Sequence, residues 1–471
     1  MTEPNRLESL TLHHVGVFDD VRIDFRPIEK PEQDEKKAEI HLFTGPNGCG
    51  KSTLLYALAN IFDANWKHGL IQNRFRDKES RVDFLFCGAA GVYGVATPSK
   101  NEGPYGAFEL YINTPEQGCI WGGAQFQQGI IANARHQHRD DSIKSIYNYK
   151  GNIRSFQPSN RHAQIKFSFA AFAYSGQRTL NTVPIGAIQE ITNSPFENAV
   201  SFDNTVRPQV LLQWIANNRA QAALARSDGD TAAADRYDLA LRRISDVIRN
   251  ICDLDVEFRL ERAPLSVSLR IDGEPIQFGT LPDGLKSIIS WIADLSMRLE
   301  AIPWEVERDV FAQPILLFLD EIDIHLHPKW QRRILPAVQA LLPNAQIFVS
   351  THSPFVVGSV EDAWVYRLSE TATSETNGPR LISGLPSGAG KSYRLILEEI
   401  FGVDEEFDVE TEKLLDDFYA VRNFVLQDQS KDGELLQIGA KIAERGEEAK
   451  VIIERELRQI SRLTRREIRL A

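Results

Sequence analysis

The sequence predicts an α/β fold in which a parallel sheet carries a phosphate-binding loop. A glycine-rich loop at residues 45–53 follows an apolar run at 40–43 and leads into an apolar helical segment that ends at residue 62. Two further apolar runs, at 314–319 and 346–349, are continuous, as in strands that are buried on both faces of a parallel sheet. Together they predict a parallel core, to which the rest of the chain adds an antiparallel β subdomain, a helical insertion and a C-terminal helical lobe.

The composition is that of a soluble globular protein. The 471 residues carry a formal net charge of −12, with 42% hydrophobic and 25% charged residues. The acidic balance argues against a surface dominated by nucleic-acid binding. We expect a cytoplasmic protein without signal peptide, membrane span, disulfide framework or zinc site, because the N-terminus is polar, no apolar run approaches about 20 residues, and the cysteines are scattered.

The first half of the chain is expected to contain mostly strands. Runs at 7–12 and 21–25 alternate apolar and polar residues around a turn at 13–20. Short strand-like runs at 82–86, 108–112 and 165–169 predict the antiparallel β subdomain, interrupted by a polar stretch at 136–159. His136 and His138 lie in that stretch, where a solvated loop is favoured over a metal site because no further ligands cluster nearby.

The second half alternates helices with short strands. Residues 207–251 show helical apolar stripes, broken at 227–230, which predict a helical hairpin. A strand pair at 256–260 and 267–271 follows, then a helix at 288–299 and a strand at 364–368. The chain from residue 392 onward is charged and helical, and residues 455–469 are rich in arginine. That basic helix is either a docking element for another subunit or a solvated helix packed on its own lobe.

The glycine-rich loop has the spacing of a phosphate loop. Its residues are Gly45, Pro46, Asn47, Gly48, Cys49, Gly50, Lys51, Ser52 and Thr53. Glycines let successive backbone N–H groups point at phosphate oxygens, and the helix N-terminus adds its positive dipole end. Lys51 would reach the β- and γ-phosphates, and the Ser52 hydroxyl would hold Mg²⁺. A glycine-rich turn without ligand is the alternative, but the flanking strand and helix favour a nucleoside triphosphate site.

Two carboxylates follow the apolar run at 314–319. Asp320 can bind Mg²⁺, and Glu321 could polarise a water molecule against the γ-phosphate. His352 ends the next apolar run, where an imidazole can hydrogen-bond the γ-phosphate. An acidic strand end and a structural histidine are the alternatives. The order of the motifs favours catalytic roles for Lys51, Glu321 and His352.

These motifs, in this order, resemble the ABC-type ATPases of the RecF and SMC class. Residues 45–52 match Walker A, residues 316–321 match Walker B, and His352 matches the switch histidine. Residues 319–331 resemble the D-E-x-x-x-H-L-H-P-x-W-Q run of prokaryotic OLD-like ATPases, which include the ATPases of the Septu and PARIS anti-phage systems. The resemblance implies an ABC-type ATPase head that uses ATP and Mg²⁺. It also implies that His325 and His327 belong to a loop facing a partner head and do not bind a metal.

The chain departs from this family at its signature segment. The family pattern L-S-x-G-[EQ] is replaced by Leu-Pro-Asp-Gly-Leu at 281–285, and Pro282 has no hydroxyl to donate. Asp283 and Gly284 are expected to keep the turn and the helix start and to belong to the nucleotide site. Contact with the ATP of an opposite head is expected from Gly284, Lys286 or Ser287, and hydrolysis is expected to be slow. Gln177 is the candidate for the family's Q-loop glutamine. A second loop resembling Walker A, at 388–392, lacks a correctly placed leading glycine and is not expected to bind nucleotide.

The resemblance divides the chain into four expected parts. Residues 1–180 form the first half of the head, 181–275 the insertion and hairpin, 276–370 the second half of the head, and 371–471 the helical lobe. Because a signature segment completes the site of an opposite head, we expect a homo-oligomer, either a dimer of heads or a higher even-numbered assembly. No Toprim or His-Asn-His motif is visible, so a separate effector, such as a nuclease, is expected. A DNA-repair ATPase that binds DNA directly is the alternative, and a transporter ATPase is least favoured.

Overall fold

The computed structural model describes most of the chain in two compact units. The first unit ends at Ile396 and the second begins at Leu397, whereas the lobe expected from the sequence begins at residue 371. The described residues are 5–27, 37–64, 71–77, 80–87, 89–96, 106–112, 118–120, 140–158, 165–176, 185–368, 379–388, 390–426 and 431–470. The candidate histidines His136 and His138 lie outside these ranges.

The strands and helices within these ranges follow one another along the chain. The strands are β1 (Leu7–Val15), β2 (Phe18–Asp24), β3 (Glu39–Thr44), β4 (Arg81–Phe86), β5 (Ala89–Ala96), β6 (Gly106–Ile112), β7 (Gly118–Ile120), β8 (Ala170–Tyr174), β9 (Val256–Arg262), β10 (Leu265–Ile271), β11 (Glu274–Ile276), β12 (Ile315–Leu319), β13 (Ala345–Ser350), β14 (Ala363–Arg367), β15 (Arg380–Ile382) and β16 (Leu385–Pro386). The α-helices are α1 (Lys51–Asn60), α2 (Asp140–Ser155), α3 (Pro208–Ser227), α4 (Thr231–Cys252), α5 (Asp283–Ala301), α6 (Pro328–Leu341), α7 (Pro354–Val357), α8 (Tyr393–Ile396), α9 (Val409–Val425), α10 (Asp432–Ala443) and α11 (Glu447–Thr464).

A parallel sheet forms the core of the first unit. Its strand order in the described residues is β16-β14-β3-β13-β12-β8, and all neighbours except the edge pair β14–β16 run parallel. Every residue of β12 and β13 is buried, as their continuous apolar runs predict. Since parallel strands end at the same edge, the loops after β3, β12 and β13 emerge side by side.

A second sheet contains the antiparallel β subdomain, which confirms the predicted fold class. Its order is β15-β2-β1-β4-β5-β6-β7, antiparallel except for the β15–β2 pair. The turn predicted at 13–20 is wrong in length, because the strands continue until only Gly16 and Val17 separate them. The polar residues there form a cross-strand pair, with the His13 ring 2.7 Å from the Asp20 carboxylate.

Two further local predictions are wrong. The run at 165–169 is not a strand; the strand begins at Ala170 and pairs with β12 in the parallel sheet. The polar stretch at 136–159 contains helix α2, in which Ile146 and Tyr149 lie one turn apart and are both buried. These two residues therefore share one buried face of a mostly polar helix.

The helical insertion and the hairpin agree closely with the elements predicted from the sequence. Helices α3 and α4 are separated at residues 228–230, and β9 and β10 form an antiparallel pair that β11 extends. Helix α5 begins at Asp283, which confirms the helix start expected at Asp283 and Gly284. Pro282 is its N-cap, and the first turn contains the last three residues of the signature segment.

The second unit has a core of its own. Helices α9, α10 and α11 bury a cluster of apolar side chains that includes Phe418, Leu435 and Ile442. Leu457 and Ile460 of α11 belong to this cluster, while Arg458 and Arg462 lie on the exposed face of that helix. The apolar stripe of the basic helix therefore packs within its own unit. Among the described helices, none combines the length and apolarity that crossing a membrane requires.

Candidate nucleotide-binding site

The loop between β3 and α1 adopts backbone angles that favour glycine. Gly45, Gly48 and Gly50 have φ values of 150°, 83° and 99°. A Cβ atom on Gly45 would lie 2.2 Å from the carbonyl oxygen of Leu368, and one on Gly50 would lie 2.5 Å from Cζ of Phe18. Larger residues are therefore excluded at both positions. A Cβ on Gly48 would meet nothing within 4 Å, so this part of the loop borders open space.

Lys51 lies at the start of α1 with its ammonium group over the loop. Its Nζ donates hydrogen bonds to the carbonyl oxygens of Gly45 at 2.9 Å and Pro46 at 2.8 Å. The side chain is almost fully buried. Nζ also lies 3.7 Å from Sγ of Cys49. A buried ammonium group with these uncharged partners is well suited to pair with a phosphate oxygen.

The N-terminus of α1 is also suited to an anion. Its N-cap residue is Gly50, and no side chain caps the helix, so the first-turn N–H groups are available to a phosphate. Ser52 is half-buried in that turn, and Pro46 and Asn47 are exposed. Thr53 is buried, and its hydroxyl accepts a hydrogen bond from Arg74 at 2.9 Å. This segment therefore fits a triphosphate in charge and in shape.

Ser350 links the two carboxylate residues to the neighbouring strand. Its hydroxyl, at the end of β13, donates to Oδ1 of Asp320 at 2.5 Å and lies 2.7 Å from the backbone N–H of Glu321, which donates to it. Asp320 is buried, and its own N–H donates to the carbonyl of Tyr174 at 2.8 Å. Sequence reasoning missed Ser350. A polar residue that ends an otherwise apolar strand beside the P-loop strand is the signal that could have identified it.

Glu321 is held in an unusual backbone conformation. Its φ is +50°, in the left-handed region that side chains other than glycine rarely adopt. A Cβ on Gly176 would lie 2.7 Å from the Glu321 carbonyl oxygen, so only glycine allows this close approach. Burial raises the pKa of the Glu321 carboxyl, the charges of Asp320 and Asp323 raise it further, and Lys51 opposes them.

His352 follows β13 at the same edge of the sheet. Its backbone N–H donates to Oδ2 of Asp323 at 3.4 Å. Burial lowers the pKa of the imidazole and the positive charge of Lys51 lowers it further, whereas Asp323 and Asp320 act in the opposite direction. The charge of Lys51 thus acts on both Glu321 and His352. The structure brings these three candidate catalytic residues together with Asp320.

The signature segment contacts the loop that follows β12. Gly284 lies in the first turn of α5, where an added Cβ would be 2.5 Å from the carbonyl oxygen of His325. Asp283 is exposed and pairs with Lys286 at 3.5 Å. His327 caps α6, since its Nδ1 accepts from the backbone N–H of Lys329 at 3.3 Å. No group of three metal-binding side chains occurs among the described residues, and Gln177 lies outside them.

Comparison with known families identifies the chain. The family model described as "AAA domain, putative AbiEii toxin, Type IV TA system" matches residues 40–358. This span contains the phosphate loop, both carboxylates and His352, and covers more than half of the chain. The chain belongs to this AAA-domain family. A second model, described as "AAA domain", matches residues 5–67.

Relatives of this AAA-domain chain include ATPases of retrons. The "Retron Vc95 probable ATPase" of Vibrio cholerae serotype O1 biovar El Tor is 33% identical over 26% of this chain and 23% of its own length. The "Retron Ec83 probable ATPase" of Escherichia coli is 28% identical over 40% of this chain and 32% of its own length. "Septu protein PtuA" of Bacillus thuringiensis is 30% identical over 30% of this chain and 38% of its own length. The matches thus span less than half of each relative.

Solved SMC head domains show a weaker similarity to the AAA-domain chain. The "SmcHead bound to the C-winged helix domain of ScpA" is 12% identical with a TM-score of 0.38, over 81% of this chain and 98% of that one. The "SMC head domain from Thermotoga maritima" is 14% identical with a TM-score of 0.33, over the same shares of the two chains.

The second Walker-A-like segment of this AAA-domain chain has a different structural context. It follows β16, a two-residue strand at the sheet edge that pairs antiparallel with β14. It precedes α8, which has only four residues. The strand here is much shorter than β3, which precedes the loop at residues 45–53. That this segment does not bind nucleotide stays a prediction.

Proposed function

We propose that this chain binds ATP with Mg²⁺ and hydrolyses it at the edge of the parallel sheet. The observation that carries the proposal is the common location of Lys51, Asp320, Glu321 and His352 beyond the carboxyl ends of β3, β12 and β13, which are neighbouring parallel strands. The glycine loop and the uncapped N-terminus of α1 provide backbone N–H groups for the phosphates. The names of the retron relatives, which include the word ATPase, support the same conclusion.

Each residue has a role that follows from its position. Lys51 exchanges its two loop carbonyls for β- and γ-phosphate oxygens. Ser52 and Asp320 would hold Mg²⁺, which neutralises charge that develops on the phosphates. Glu321 orients the attacking water and accepts its proton, and the raised pKa of its carboxyl makes it a stronger base. His352 is neutral near pH 7, because its pKa is lowered, and donates a hydrogen bond to the γ-phosphate.

Phosphate release from Mg–ATP by the purified full chain tests this activity. We expect slow turnover that requires Mg²⁺ and falls in Ser52→Ala, which removes one proposed metal ligand. The matched control is Ser359→Ala, since Ser359 is a hydroxyl residue in the turn after α7 whose described side-chain hydrogen bond goes to the Val356 carbonyl. The proposal is overturned if the wild type neither binds ATP nor releases phosphate from it.

We further infer that the chain is the sensor and scaffold subunit of an anti-phage system and controls a separate effector. Support comes from the relatives, which are named as retron and Septu components. The net charge of −12 disfavours the alternative, a DNA-repair ATPase that binds DNA along a broad basic surface.

Purification of the chain expressed together with its neighbouring genes distinguishes these two functions. We expect an effector protein to co-purify and to be identified by mass spectrometry. DNA binding by the chain alone is measured in parallel by fluorescence anisotropy, with Mg–ATP present. Tight ATP-dependent DNA binding without a co-purifying effector would favour the repair function and overturn the defence proposal.

A further inference from the structure

Gln331 connects the loop after β12 to the segment that carries His352. It lies in the first turn of α6, and its Nε2 donates to the carbonyl oxygens of Asp323 at 3.2 Å and Leu326 at 3.0 Å. Its Oε1 accepts a hydrogen bond from the Ser353 hydroxyl at 2.7 Å. The amide group of Gln331 therefore donates two hydrogen bonds to the loop after β12 and accepts one from the segment that carries His352.

The segment that contains His352 and Ser353 is held by hydrogen bonds to the Ser353 hydroxyl. Ser353 directly follows His352 and caps α7, with its hydroxyl oxygen 3.1 Å from the N–H of Phe355 and 3.3 Å from that of Val356. Ser353 is also buried. Its bond to Gln331 therefore fixes the backbone directly beside the imidazole of His352.

On the other side of Gln331, the loop after β12 has a backbone conformation that requires contacts from neighbouring residues. The loop at residues 321–327 contains two left-handed residues, Glu321 with φ +50° and His325 with φ +61°. Residues other than glycine rarely adopt such conformations, which persist only where surrounding contacts hold them. Within the loop, Ile324 N–H donates to the Glu321 carbonyl at 3.2 Å and Leu326 N–H to the Asp323 carbonyl at 3.1 Å. The two bonds from Gln331 hold this loop from outside.

We propose that Gln331 is a positioning residue that keeps His352 in register with Glu321, so that both act on the same γ-phosphate. This inference rests on the proposed ATP hydrolysis and assigns Gln331 no contact with the nucleotide. A second link between the two segments, from the His352 N–H to Asp323, is longer at 3.4 Å. The Ser350 hydroxyl also accepts the Glu321 N–H at 2.7 Å, two residues before His352, whereas Gln331 is the link that reaches Ser353, the residue directly after it.

Loss of the Gln331 side-chain amide should slow the hydrolysis of bound ATP and leave the affinity for ATP nearly unchanged. The phosphate loop makes no described hydrogen bond to Gln331, so the affinity for ATP should change less than about threefold. The reacting groups would lose their mutual alignment, and misplacement by about 1 Å can cost up to about 100-fold in rate. We expect Gln331→Ala to lower kcat by about 10- to 100-fold.

Gln339→Ala is the matched control. Gln339 lies on the same helix, and its Nε2 also donates to a backbone carbonyl, that of Ala38 at 3.0 Å. Both variants remove an amide that links α6 to a neighbouring segment, but only Gln331 reaches the His352 segment. We expect Gln339→Ala to keep near-normal kcat at a temperature where both variants are folded. An equal loss of kcat in the two variants would overturn the inference, because it would show a general effect on α6.

Combination with His352→Ala tests whether Gln331 acts through the histidine. In that background, Gln331→Ala should cause little further loss of kcat, because the group that it positions is already gone. If the fold-losses of kcat caused by Gln331→Ala and His352→Ala multiply in the double variant, the two residues act independently and the inference is overturned.

The titration of His352 provides a readout that does not depend on turnover. NMR of the full chain with labelled histidine, assigned through His352→Gln, should show the pKa of His352 returning toward its ordinary value in Gln331→Ala but not in Gln339→Ala. An unchanged titration in Gln331→Ala would overturn the inference. An inactive wild type would instead overturn the proposed ATP hydrolysis, and the titration would still decide the role of Gln331.

Discussion

Glu321 combines two properties that a carboxylate at a strand end does not ordinarily have. Its backbone is left-handed, with φ +50°, and burial together with neighbouring carboxylates raises the pKa of its side chain. The Ser350 hydroxyl, which accepts the Glu321 N–H, and the close approach of Gly176 hold it in place. Such a held conformation at a candidate site agrees with a function in catalysis.

Replacement of Glu321 by glutamine should separate ATP binding from hydrolysis. The amide keeps the size of the side chain but cannot accept the proton of the attacking water, so hydrolysis should slow by about 100-fold or more while ATP still binds. Single-turnover phosphate release and calorimetry measure the two steps. Glu257→Gln, on the exposed side of β9, serves as the control. Normal turnover in Glu321→Gln would show that another group is the base.

The rate of hydrolysis should fall as the pH decreases. Since the pKa of Glu321 is raised, its carboxylate is protonated at a higher pH than an ordinary glutamate and stops acting as a base there. His352 is neutral at pH 7, because its pKa is lowered. A single-turnover pH profile should be flat above neutral and decline with a midpoint above about 4.3, the ordinary glutamate value. A decline centred at or below that value would contradict the assigned environment of Glu321.

Helix α5, which carries the signature segment, is anchored by a buried ion pair. Arg298 and Asp294 are both fully buried and pair at 2.6 Å. The Tyr174 hydroxyl at the end of β8 donates to the same carboxylate oxygen at 3.0 Å, and Arg298 donates to the carbonyls of Pro195 and Glu197. The pair therefore ties α5 to the parallel sheet and to the segment before α3.

Removal of Arg298 should destabilise the first unit. Arg298→Met leaves the Asp294 carboxylate buried without its positive partner, which typically costs about 3–5 kcal/mol. Urea unfolding monitored by circular dichroism measures the loss, with Arg270→Met on an exposed position of β10 as the control. A variant as stable as Arg270→Met would contradict the importance of this pair.

The elements that the sequence predicted well are those whose burial dictates their composition. Strand β12 is apolar throughout and β13 is apolar at residues 347–349, and every residue of both strands is buried, so their apolar runs identify them. Strand β8 was displaced by five residues, because Phe167 and Phe169 are as apolar as the strand that follows and only pairing with β12 decides the boundary. The linking roles of Ser350 and of Gln331, the last residue of the 319–331 run, were not predicted. Their hydrogen-bond partners lie 29 or 30 and 5 to 22 positions away along the chain.

At the scale of the whole molecule, the second unit constrains how the C-terminal helix can act. Leu457 and Ile460 contribute to the core of residues 397–471. Truncation within α11 would therefore disrupt the unit and could not isolate a docking function. Charge reversal at the exposed Arg458 and Arg462 leaves that core intact and is the sharper way to examine the basic face.

Assembly in the presence of ATP should double the mass of the particle. The resemblance to ABC-type heads implies that the Asp283–Gly284 segment completes the site of a second copy. Glu321→Gln with Mg–ATP should trap this state, and light scattering should give at least a dimer with ATP and a smaller mass with ADP. A strict monomer in both conditions would show that one chain completes its own site.

Binding of ATP to three forms of the chain tests the central claim most directly. Calorimetry compares the wild type, Lys51→Ala and Lys391→Ala, which removes the lysine of the second Walker-A-like segment. We predict that the wild type and Lys391→Ala bind one ATP per chain with similar affinity. We predict that Lys51→Ala loses tight binding, because its ammonium group is the charge that faces the phosphates. Unchanged ATP affinity in Lys51→Ala would contradict the assignment of the site.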